Sequence, residues 1–356
     1  MTTATLDRNK ADTFADRLLA TLNGGALALM TSIGHRTGLF DALGDGAPVT
    51  GDELARKAGL NERYVREWLG AMLTGRVVEY DPATQRFSLP AEHAAALTRA
   101  AAPDNLAALA QYIGLLGTVE DRIIECFENG GGVAYEEFGR FQEVMAEDSG
   151  QTVLPVLEDA ILPLVPGLIG KLEAGIDVLD IGCGAARALN QLARRFPKSR
   201  FVGYDLSPEG IEAGRAEARA HGARNVCLEV RDVTDLQEVA AFDLVTAFDA
   251  IHDQAHPDQV LLAVYRALRP HGVFLMQDIS ASSDVAKNAD HPLGTLLYTI
   301  SCMHCMTVSL ACDGHGLGAM WGREKACEML ADAGFKRVRI EDLPHDPQNC
   351  YYVIGK

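Results

Sequence analysis

The chain has 356 residues, a formal net charge of −17, 48% hydrophobic residues and 23% charged residues. This length has room for two domains, and the composition is ordinary for a globular protein. The acidic charge disfavours phosphate-rich partners, because cationic side chains supply most of the non-specific affinity for nucleic acids.

The N-terminal segment and the cysteines predict a cytoplasmic protein. Residues 1–8 lack the apolar core of a secretory signal. The eight cysteines are scattered among apolar segments, which is typical of reduced thiols and not of a disulfide framework. No apolar run approaches the roughly 20 residues that a membrane span needs. We therefore expect no membrane partner.

The N-terminal part of the chain predicts a winged helix. Residues 12–43 predict two helices, with breaks at residues 23–25, where two glycines follow an asparagine, and at Gly38. A capped helix over 49–60 and a second helix over 61–73 are joined by a glycine-containing turn, which is the helix-turn-helix pattern. Two short strands within residues 77–89 then predict a hairpin that serves as the wing.

A winged helix suggests DNA binding, but the charges on its second helix disfavour this function. Arg63 and Arg66 are offset by Glu62 and Glu67 on the same helix. A protein that reads DNA normally presents a basic stripe on this element. We therefore expect no DNA partner.

The segment over residues 103–170 predicts mainly helices. Phe138, Phe141, Met145 and Ser149 lie near one face of a helix. Such a stripe most often packs into a core, and the alternative is that it covers a ligand site built by the following sequence.

A glycine turn within residues 177–190 is the strongest motif of the chain. An apolar strand ends with Asp180, Gly182 and Gly184 follow, and a run with helical periodicity comes next. The order of strand, glycine turn and helix is the opening of a nucleotide-binding βαβ unit.

Two further strands also end in acids. The strand over 200–206 contains Asp205 near its end, where a carboxylate can accept hydrogen bonds from both hydroxyls of a ribose. The strand over 226–233 leads to Asp232. Acids at the ends of consecutive strands indicate a site that binds a nucleoside.

The predicted ligand is S-adenosylmethionine (SAM) and not a dinucleotide. A dinucleotide-binding turn uses three glycines to approach a pyrophosphate, whereas the third position here is Ala186. Asp180, placed at the mouth of the turn, would repel phosphate and would suit an ammonium group. SAM carries such a group, with a sulfonium, a ribose and an adenine but no phosphate. A structural turn with chance acids is the remaining alternative.

The motifs Asp180-x-Gly182-x-Gly184, Gly203-x-Asp205-x-Ser207 and Arg231-Asp232-Val233 together resemble class I SAM-dependent methyltransferases. The resemblance implies an α/β fold with a Rossmann-like, seven-stranded methyltransferase sheet, preceded by an all-α, winged-helix N-terminal domain. It also implies the glycine turn near the methionine moiety, one acid on the ribose and one near the adenine amino group. The cofactor-binding residues that it implies are Asp180, Gly182, Gly184, Asp205, Leu206, Asp232, Val233 and Phe248.

The N-terminal domain resembles the dimerisation domain of small-molecule O-methyltransferases of the hydroxyindole and caffeate type. This resemblance implies a homodimer and a division into a winged-helix dimerisation domain (1–100), a helical connector that covers the active site (101–170) and a SAM-binding domain (171–356). The alternative is a SAM-sensing winged-helix transcriptional regulator without turnover.

The loop after the fourth predicted strand, residues 242–248, contains the candidate catalytic base. His252 and Asp253 lie in this loop, and ligands of open α/β sheets bind beyond the carboxyl ends of the strands. A histidine near its unperturbed pKa can take a proton from a hydroxyl, thiol or ammonium acceptor. The pair resembles the His-Asp pair of the O-methyltransferases, in which the histidine is the general base. A loop histidine that bonds the backbone is the alternative.

Residues 280–322 interrupt the alternation of strand and helix and predict an insertion that shapes the acceptor pocket. A soft-metal site of Cys302, Cys305, His304 and His315 is disfavoured, because a second Cys-x-x-Cys pair is missing and neighbours on a helix diverge. We expect an apolar pocket and no metal. The predicted acceptor-binding residues are Phe141, Met145, Tyr298 and His304.

The chain closes with two predicted strands, over 338–343 and 350–354, one of them antiparallel to the rest of the sheet. Taken together, the sequence predicts a SAM-dependent methyltransferase that acts on oxygen, nitrogen or sulfur of a small acceptor.

Overall fold

A computed structural model describes residues 6–356. Residues 1–5, which begin the segment used to predict the localisation, lie outside the described residues. The chain divides into two compact units, one that ends at Gly114 and one over Leu115–Lys356. The finer division at residues 100 and 170 stays a prediction.

The N-terminal unit is helical and contains one hairpin. The first turn of its third helix is closed by a capping box, in which Thr50 and Glu53 each bond the other's backbone, and the helix ends at Gly59 with φ of 67°. The predicted winged helix is confirmed. The elements of this unit are α1 (Arg8–Arg36), α2 (Leu39–Leu43), α3 (Gly51–Ala58), α4 (Glu62–Thr74), β1 (Glu79–Asp81), β2 (Arg86–Ser88) and α5 (Ala91–Leu97).

The predicted break at residues 23–25 is wrong, because α1 continues through them. A glycine inside an exposed helix costs about 1 kcal/mol relative to alanine, which a long helix tolerates. A Cβ at Gly24 or Gly25 would meet nothing within 4 Å, so no neighbouring group requires a glycine at these positions. Gly38, with φ of 73°, does separate α1 from α2.

The second unit is built on a seven-stranded sheet in the order β5-β4-β3-β6-β7-β9-β8. Neighbours from β5 to β7 are parallel, and β9 is antiparallel to β7 and β8. The predicted sheet and its antiparallel member are confirmed. The strands are β3 (Asp177–Ile181), β4 (Arg200–Asp205), β5 (Val226–Val230), β6 (Phe242–Phe248), β7 (Leu268–Ile279), β8 (Arg337–Glu341) and β9 (Asn349–Gly355).

Helices cover both faces of this sheet. Val178 and Leu244 belong to one buried core, and Leu179 and Val245 belong to the other, since successive strand residues point to opposite faces. The strand order reverses between β3 and β6, which places the ligand crevice at their carboxyl ends. The helices are α7 (Glu120–Asn129), α8 (Phe141–Thr152), α9 (Leu168–Ala174), α10 (Arg187–Arg195), α11 (Pro208–Ala220), α12 (Pro257–Ala267), α13 (Gly294–Ile300), α14 (Met306–Ala311) and α15 (Gly322–Asp332), while α6 (Gln111–Leu116) spans the boundary between the units.

One helical stretch of residues 6–356, Gly294–Ala311, is long and apolar enough to cross a membrane by length and composition alone. The bent pair Phe141–Leu164 and Leu168–Ala174 would be a second such stretch if it formed one span. The expectation that no apolar run approaches this length is therefore wrong. Because 44% of Gly294–Ala311 is buried inside the protein, the stretch also fits a core helix.

Candidate functional site

The glycine turn connects β3 to α10 and lies against the loop that follows β6. Gly182 has φ of 64°, and a Cβ at this residue would clash with the Cβ of Ala250. Gly184 has φ of 51° and Ala186 has φ of 52°. A left-handed conformation costs about 1–2 kcal/mol for a residue with a Cβ, so the fold stabilises Ala186 in a strained position. The turn therefore brings the end of β3 next to the segment that contains His252.

Asp180 lies deeper than the sequence suggests. Its side chain is buried between β3 and β6, where Oδ1 accepts a hydrogen bond of 2.6 Å from the Thr246 hydroxyl. Burial raises the pKa of Asp180 to about 7, although the bond from Thr246 opposes the shift. A cation bound at this end of the sheet would favour the ionised carboxylate.

Asp205, at the end of β4, faces the glycine turn. Its Oδ2 accepts the backbone N–H of Gly184 at 2.7 Å, and its Oδ1 accepts the backbone N–H of Ser207 at 2.7 Å. Burial raises the pKa of Asp205, while these N–H groups oppose the shift. The two bonds fix the carboxylate at the switch point of the sheet, where a ribose is expected.

The remaining predicted cofactor residues follow the ends of the neighbouring strands. Leu206 is exposed after β4, Val233 is buried after β5, and Phe248 ends β6 half-buried. Asp232 is exposed, and its Oδ1 accepts from the backbone and hydroxyl of Thr234 at 2.8 and 2.7 Å. The structure brings these residues to one edge of the sheet, and their contacts with a cofactor stay predictions.

His252 is held by an acid on the neighbouring strand. Its side chain is buried, with 4% exposed, and Nδ1 lies 2.8 Å from Oδ1 of Asp278 at the end of β7. The same oxygen accepts the backbone N–H of Ile279 at 2.8 Å and Nε1–H of Trp321 at 2.9 Å. Since a carboxylate oxygen only accepts, Nδ1 of His252 donates and Nε2 is the basic nitrogen of the neutral ring.

The electrostatics of His252 differ from those expected for an unperturbed histidine. Burial acts to lower its pKa, but the Asp278 carboxylate and then Cys305, which hydrogen-bonds with the ring, outweigh burial. The pKa of His252 therefore lies well above its usual value. Burial raises the pKa of the adjacent Asp253 to about 6, and the charge of His252 opposes this shift.

Sequence reasoning missed Asp278 and Trp321. Asp253 is adjacent to His252 in sequence, but adjacency alone does not identify the acid that orients the ring. The acid that contacts the ring is 26 residues away. The available signal was the position of Asp278 at the end of an apolar strand, because parallel strands align their carboxyl ends.

An aromatic cluster lies near His252. It consists of Tyr135, Phe138, Phe141 and His304. His304 belongs to a π-helical turn, Ser301–Cys305, between α13 and α14. Its ring stacks on Phe141 with centroids 3.5 Å apart and an angle of 7°, while Tyr135 and Phe138 contact it edge-on. The predicted acceptor residues Phe141 and His304 are thus in direct contact.

His304 is fully buried, and neither of its ring nitrogens has a hydrogen-bond partner. Burial, and to a smaller extent the nearby His252, lowers the pKa of His304 to about 3. The ring is therefore neutral and offers one donor and one acceptor inside an apolar surrounding. Buried polar atoms are usually satisfied, so these two nitrogens indicate a place where a ligand or water binds.

Helix α8 covers the glycine turn. A Cβ at Gly184 would lie 3.6 Å from Oε1 of Gln142, and Nη1 of Arg187 donates to the carbonyl of Ala146 at 2.6 Å. Met145 is half-buried on the same helix. Tyr298 is different, since 38% of it is exposed and its hydroxyl accepts from Nδ2 of Asn288 at 3.0 Å. Its role in acceptor binding stays a prediction.

Three of the four side chains considered for a soft-metal site have different partners. Cys305 contacts the ring of His252 and His304 lies in the aromatic cluster, whereas His315 is exposed beside Asp258. These side chains therefore belong to separate environments.

The reversed sheet order, the glycine turn and the carboxylate of Asp205 define a class I, SAM-dependent methyltransferase fold. Two family models match the chain, one described as a methyltransferase domain over residues 172–345 and one as an Rv2258c-like winged HTH domain over residues 25–99. The chain thus combines a methyltransferase domain with an N-terminal winged-helix domain.

Curated relatives match about a third of the chain at comparable similarity. A fatty-acid O-methyltransferase of Mycolicibacterium smegmatis is 32% identical over 126 residues, which is 34% of this chain and 45% of that protein. A trans-aconitate 2-methyltransferase of Deinococcus radiodurans is 32% identical over 120 residues, or 34% of this chain and 42% of that protein. The chain thus spans less than half the length of these relatives.

Solved structures match nearly the full length. Human N-acetylserotonin methyltransferase in complex with SAM has a TM-score of 0.68 and 16% identity, covering 100% of this chain and 99% of that chain. The mitomycin 7-O-methyltransferase MmcR has a TM-score of 0.70 and 16% identity, covering 98% and 100%. At this identity the similarity shows the fold, and it confirms the predicted architecture.

Proposed function

We propose that this protein transfers a methyl group from SAM to a small acceptor and that His252 is the general base. The observation that supports this most is the His252–Asp278 pair at the carboxyl ends of β6 and β7, beside the glycine turn. SAM supplies a methyl group on an activated sulfonium. The protein then has to align the acceptor with that methyl group and remove a proton. The proton passes to Nε2 of His252, and Asp278 stabilises the resulting imidazolium.

The residues present fit SAM. The carboxylate of Asp205 is fixed opposite the glycine turn and can accept hydrogen bonds from ribose hydroxyls. Asp180 supplies a carboxyl group whose ionised form a nearby ammonium would stabilise. Asp232 keeps an exposed carboxylate for the adenine amino group.

The acceptor that suits this site is small, flat and largely apolar. The aromatic cluster supplies ring faces and edges, and the neutral His304 supplies its only unpartnered polar atoms. A base whose pKa is raised suits a weakly acidic hydroxyl better than an acceptor that is already ionised. We therefore favour O-methylation, which the printed names of several relatives also indicate for those proteins.

We expect Asp205→Ala to weaken the binding of S-adenosylhomocysteine at least tenfold, or about 1.4 kcal/mol, because a carboxylate that accepts from the ribose is removed. Isothermal titration calorimetry on the full chain measures the change. Glu209→Ala, at an exposed acid in the first turn of α11, is the matched control and should keep the affinity of the original protein. Equal affinities for both variants would refute the placement of the ribose.

A DNA-binding regulator is not favoured, because the arginines of the second helix of the helix-turn-helix and an arginine of the hairpin are paired with acids. Arg66 bonds Glu62 through two nitrogens, and Arg63 bonds Glu67 on the same helix. Arg86 of the hairpin bonds Glu53 in the same way. Recovery of a defined sequence from a random duplex library at moderate salt would reverse this assignment.

We also propose that the protein forms a homodimer through α1. Large apolar side chains are exposed along this helix, and Phe14, Leu18 and Leu22 follow one another at the spacing of one helical face. A second copy of the chain would cover this stripe.

The double substitution Leu18→Glu and Leu22→Glu should therefore convert the dimer to a monomer, since it places two charges in an apolar interface. Light scattering on the purified chain measures the mass. Val239→Glu changes a more exposed apolar residue of the second unit and should leave the mass unchanged. A dimer that survives the double substitution would place the interface elsewhere.

The proposed compartment is the cytoplasm, which the eight unpaired cysteines support. Fractionation of the producing cells tests this assignment.

A further inference from the structure

A second group of side chains that could coordinate a metal ion is separate from the His252–Asp278 pair. It consists of His256, Asp258 and His315, and one ligand atom of each lies within 4.8 Å of the other two. All three are at least partly accessible to solvent. We propose that this group binds a divalent transition-metal ion and that Zn²⁺ is the best match.

The spacing of the ligand atoms agrees with this proposal. Ligands that stand about 2.0–2.2 Å from a tetrahedral zinc ion are about 3.4 Å apart. Nε2 of His315 lies 3.5 Å from Oδ1 of Asp258, close to that separation. A ring nitrogen of His256 lies within 4.8 Å of both other ligand atoms, and water would complete the coordination.

The chemistry of the three ligands selects the kind of metal. Two imidazoles and one carboxylate suit Zn²⁺, Ni²⁺ and Cu²⁺, whereas Ca²⁺ and Mg²⁺ prefer oxygen ligands alone. A simple ion pair would need only His315 and Asp258. The second ring, His256, packs edge-on against His315 with centroids 5.9 Å apart, and an ion pair does not account for it.

The backbone holds the two contributing loops together without the metal. The N–H of His315 donates to the carbonyl of Ala255 at 2.8 Å, and the Ser309 hydroxyl donates to the carbonyl of Gln254 at 2.9 Å. Gly314 packs so closely that a Cβ there would clash with the backbone of Ala255. Because the loops are already ordered, the ion would bind with little further loss of conformational entropy.

Each of these loops leads to an element of the proposed active site. His256 lies four residues after His252 in the sequence. His315 follows α14, and α14 continues from the turn that contains His304. A bound ion would therefore tie the base-bearing loop to the insertion that carries part of the aromatic cluster. We expect metal binding to stabilise the folded chain, since a ligand that binds only the native state raises its unfolding temperature.

The test is calorimetric titration of ZnCl₂ into the full-length protein, without a histidine tag and after dialysis against a chelator. We expect one ion per chain, and we expect His256→Ala and His315→Ala each to weaken binding at least tenfold. His221→Ala, at an exposed histidine that follows α11, and Cys312→Ser, at an exposed thiol near His315, are matched controls that should keep the affinity.

Thermal unfolding gives a second measurement that does not depend on enzyme activity. Zn²⁺ should raise the melting temperature of the original protein and of both controls, but not that of a folded His315→Ala variant. Circular dichroism establishes that each variant is folded. Loss of binding in Cys312→Ser alone would assign the ion to thiols, and absence of binding in the original protein would leave only a surface ion pair. Either result would overturn the proposal.

Discussion

Replacing His252 with alanine should reduce methyl transfer by about 10²–10⁴-fold, which is the usual contribution of a general base. The loss should appear in kcat with a hydroxyl acceptor of high pKa, because such an acceptor needs a base in the transition state. The affinity for S-adenosylhomocysteine should change little, since Asp205 and the glycine turn are expected to carry the cofactor. Transfer of radiolabelled methyl groups to a panel of small apolar phenols and carboxylic acids measures the effect.

Two controls make this experiment decisive. His271→Ala changes an exposed histidine near the beginning of β7 and should keep full activity. A carboxylic acid acceptor is ionised at neutral pH, so its methylation should depend much less on His252 than that of a phenol. Activity near that of the original protein with a high-pKa phenol would exclude His252 as the base.

The Asp278→Asn substitution should lower the plateau rate by on the order of 10–10²-fold, a part of the general-base contribution. Asparagine keeps an oxygen that can accept from His252 and Trp321, and its NH₂ group would occupy the position of Oδ2, which has no hydrogen-bond partner. The change therefore removes the negative charge while the shape of the side chain is retained. Denaturant unfolding should show a stability loss within about 1–3 kcal/mol, the range for a perturbed buried hydrogen bond.

The pH profile separates this electrostatic role from a structural one. A general base acts in its neutral form, so activity should rise as the pH passes the pKa of His252, which Asp278 keeps above the usual value. Removal of the charge lowers that pKa, and the rising limb of kcat/KM should move to lower pH in Asp278→Asn. Asp253→Asn is the matched control and should move the limb less, because the Asp253 carboxylate is not the partner of Nδ1. An unchanged limb in Asp278→Asn would leave this acid with a structural role only.

Local sequence patterns were sufficient for the motifs that a few neighbouring residues define. The positions of Gly182 and Gly184 in a turn after β3, and of Asp205 at the end of β4, could be predicted because the change from strand to glycine turn to helix has a strong sequence signature. The helix-turn-helix was equally predictable, since the capping box at Thr50 and the left-handed Gly59 mark the helix ends. These features depend on backbone geometry that each short segment sets for itself.

The tertiary structure decided which side chains meet. Asp278 reaches His252 across 26 residues because β6 and β7 are neighbours in the sheet. Trp321, which precedes α15, reaches Asp278 across 43 residues. The stacking of His304 on Phe141 likewise joins the insertion to α8. Periodicity predicts the face of a helix or strand on which a residue lies, but it carries no information about the element that packs there. The contact of Asp278 with His252, the burial of Asp180 and the grouping of His256 with His315 were therefore visible only in the folded chain.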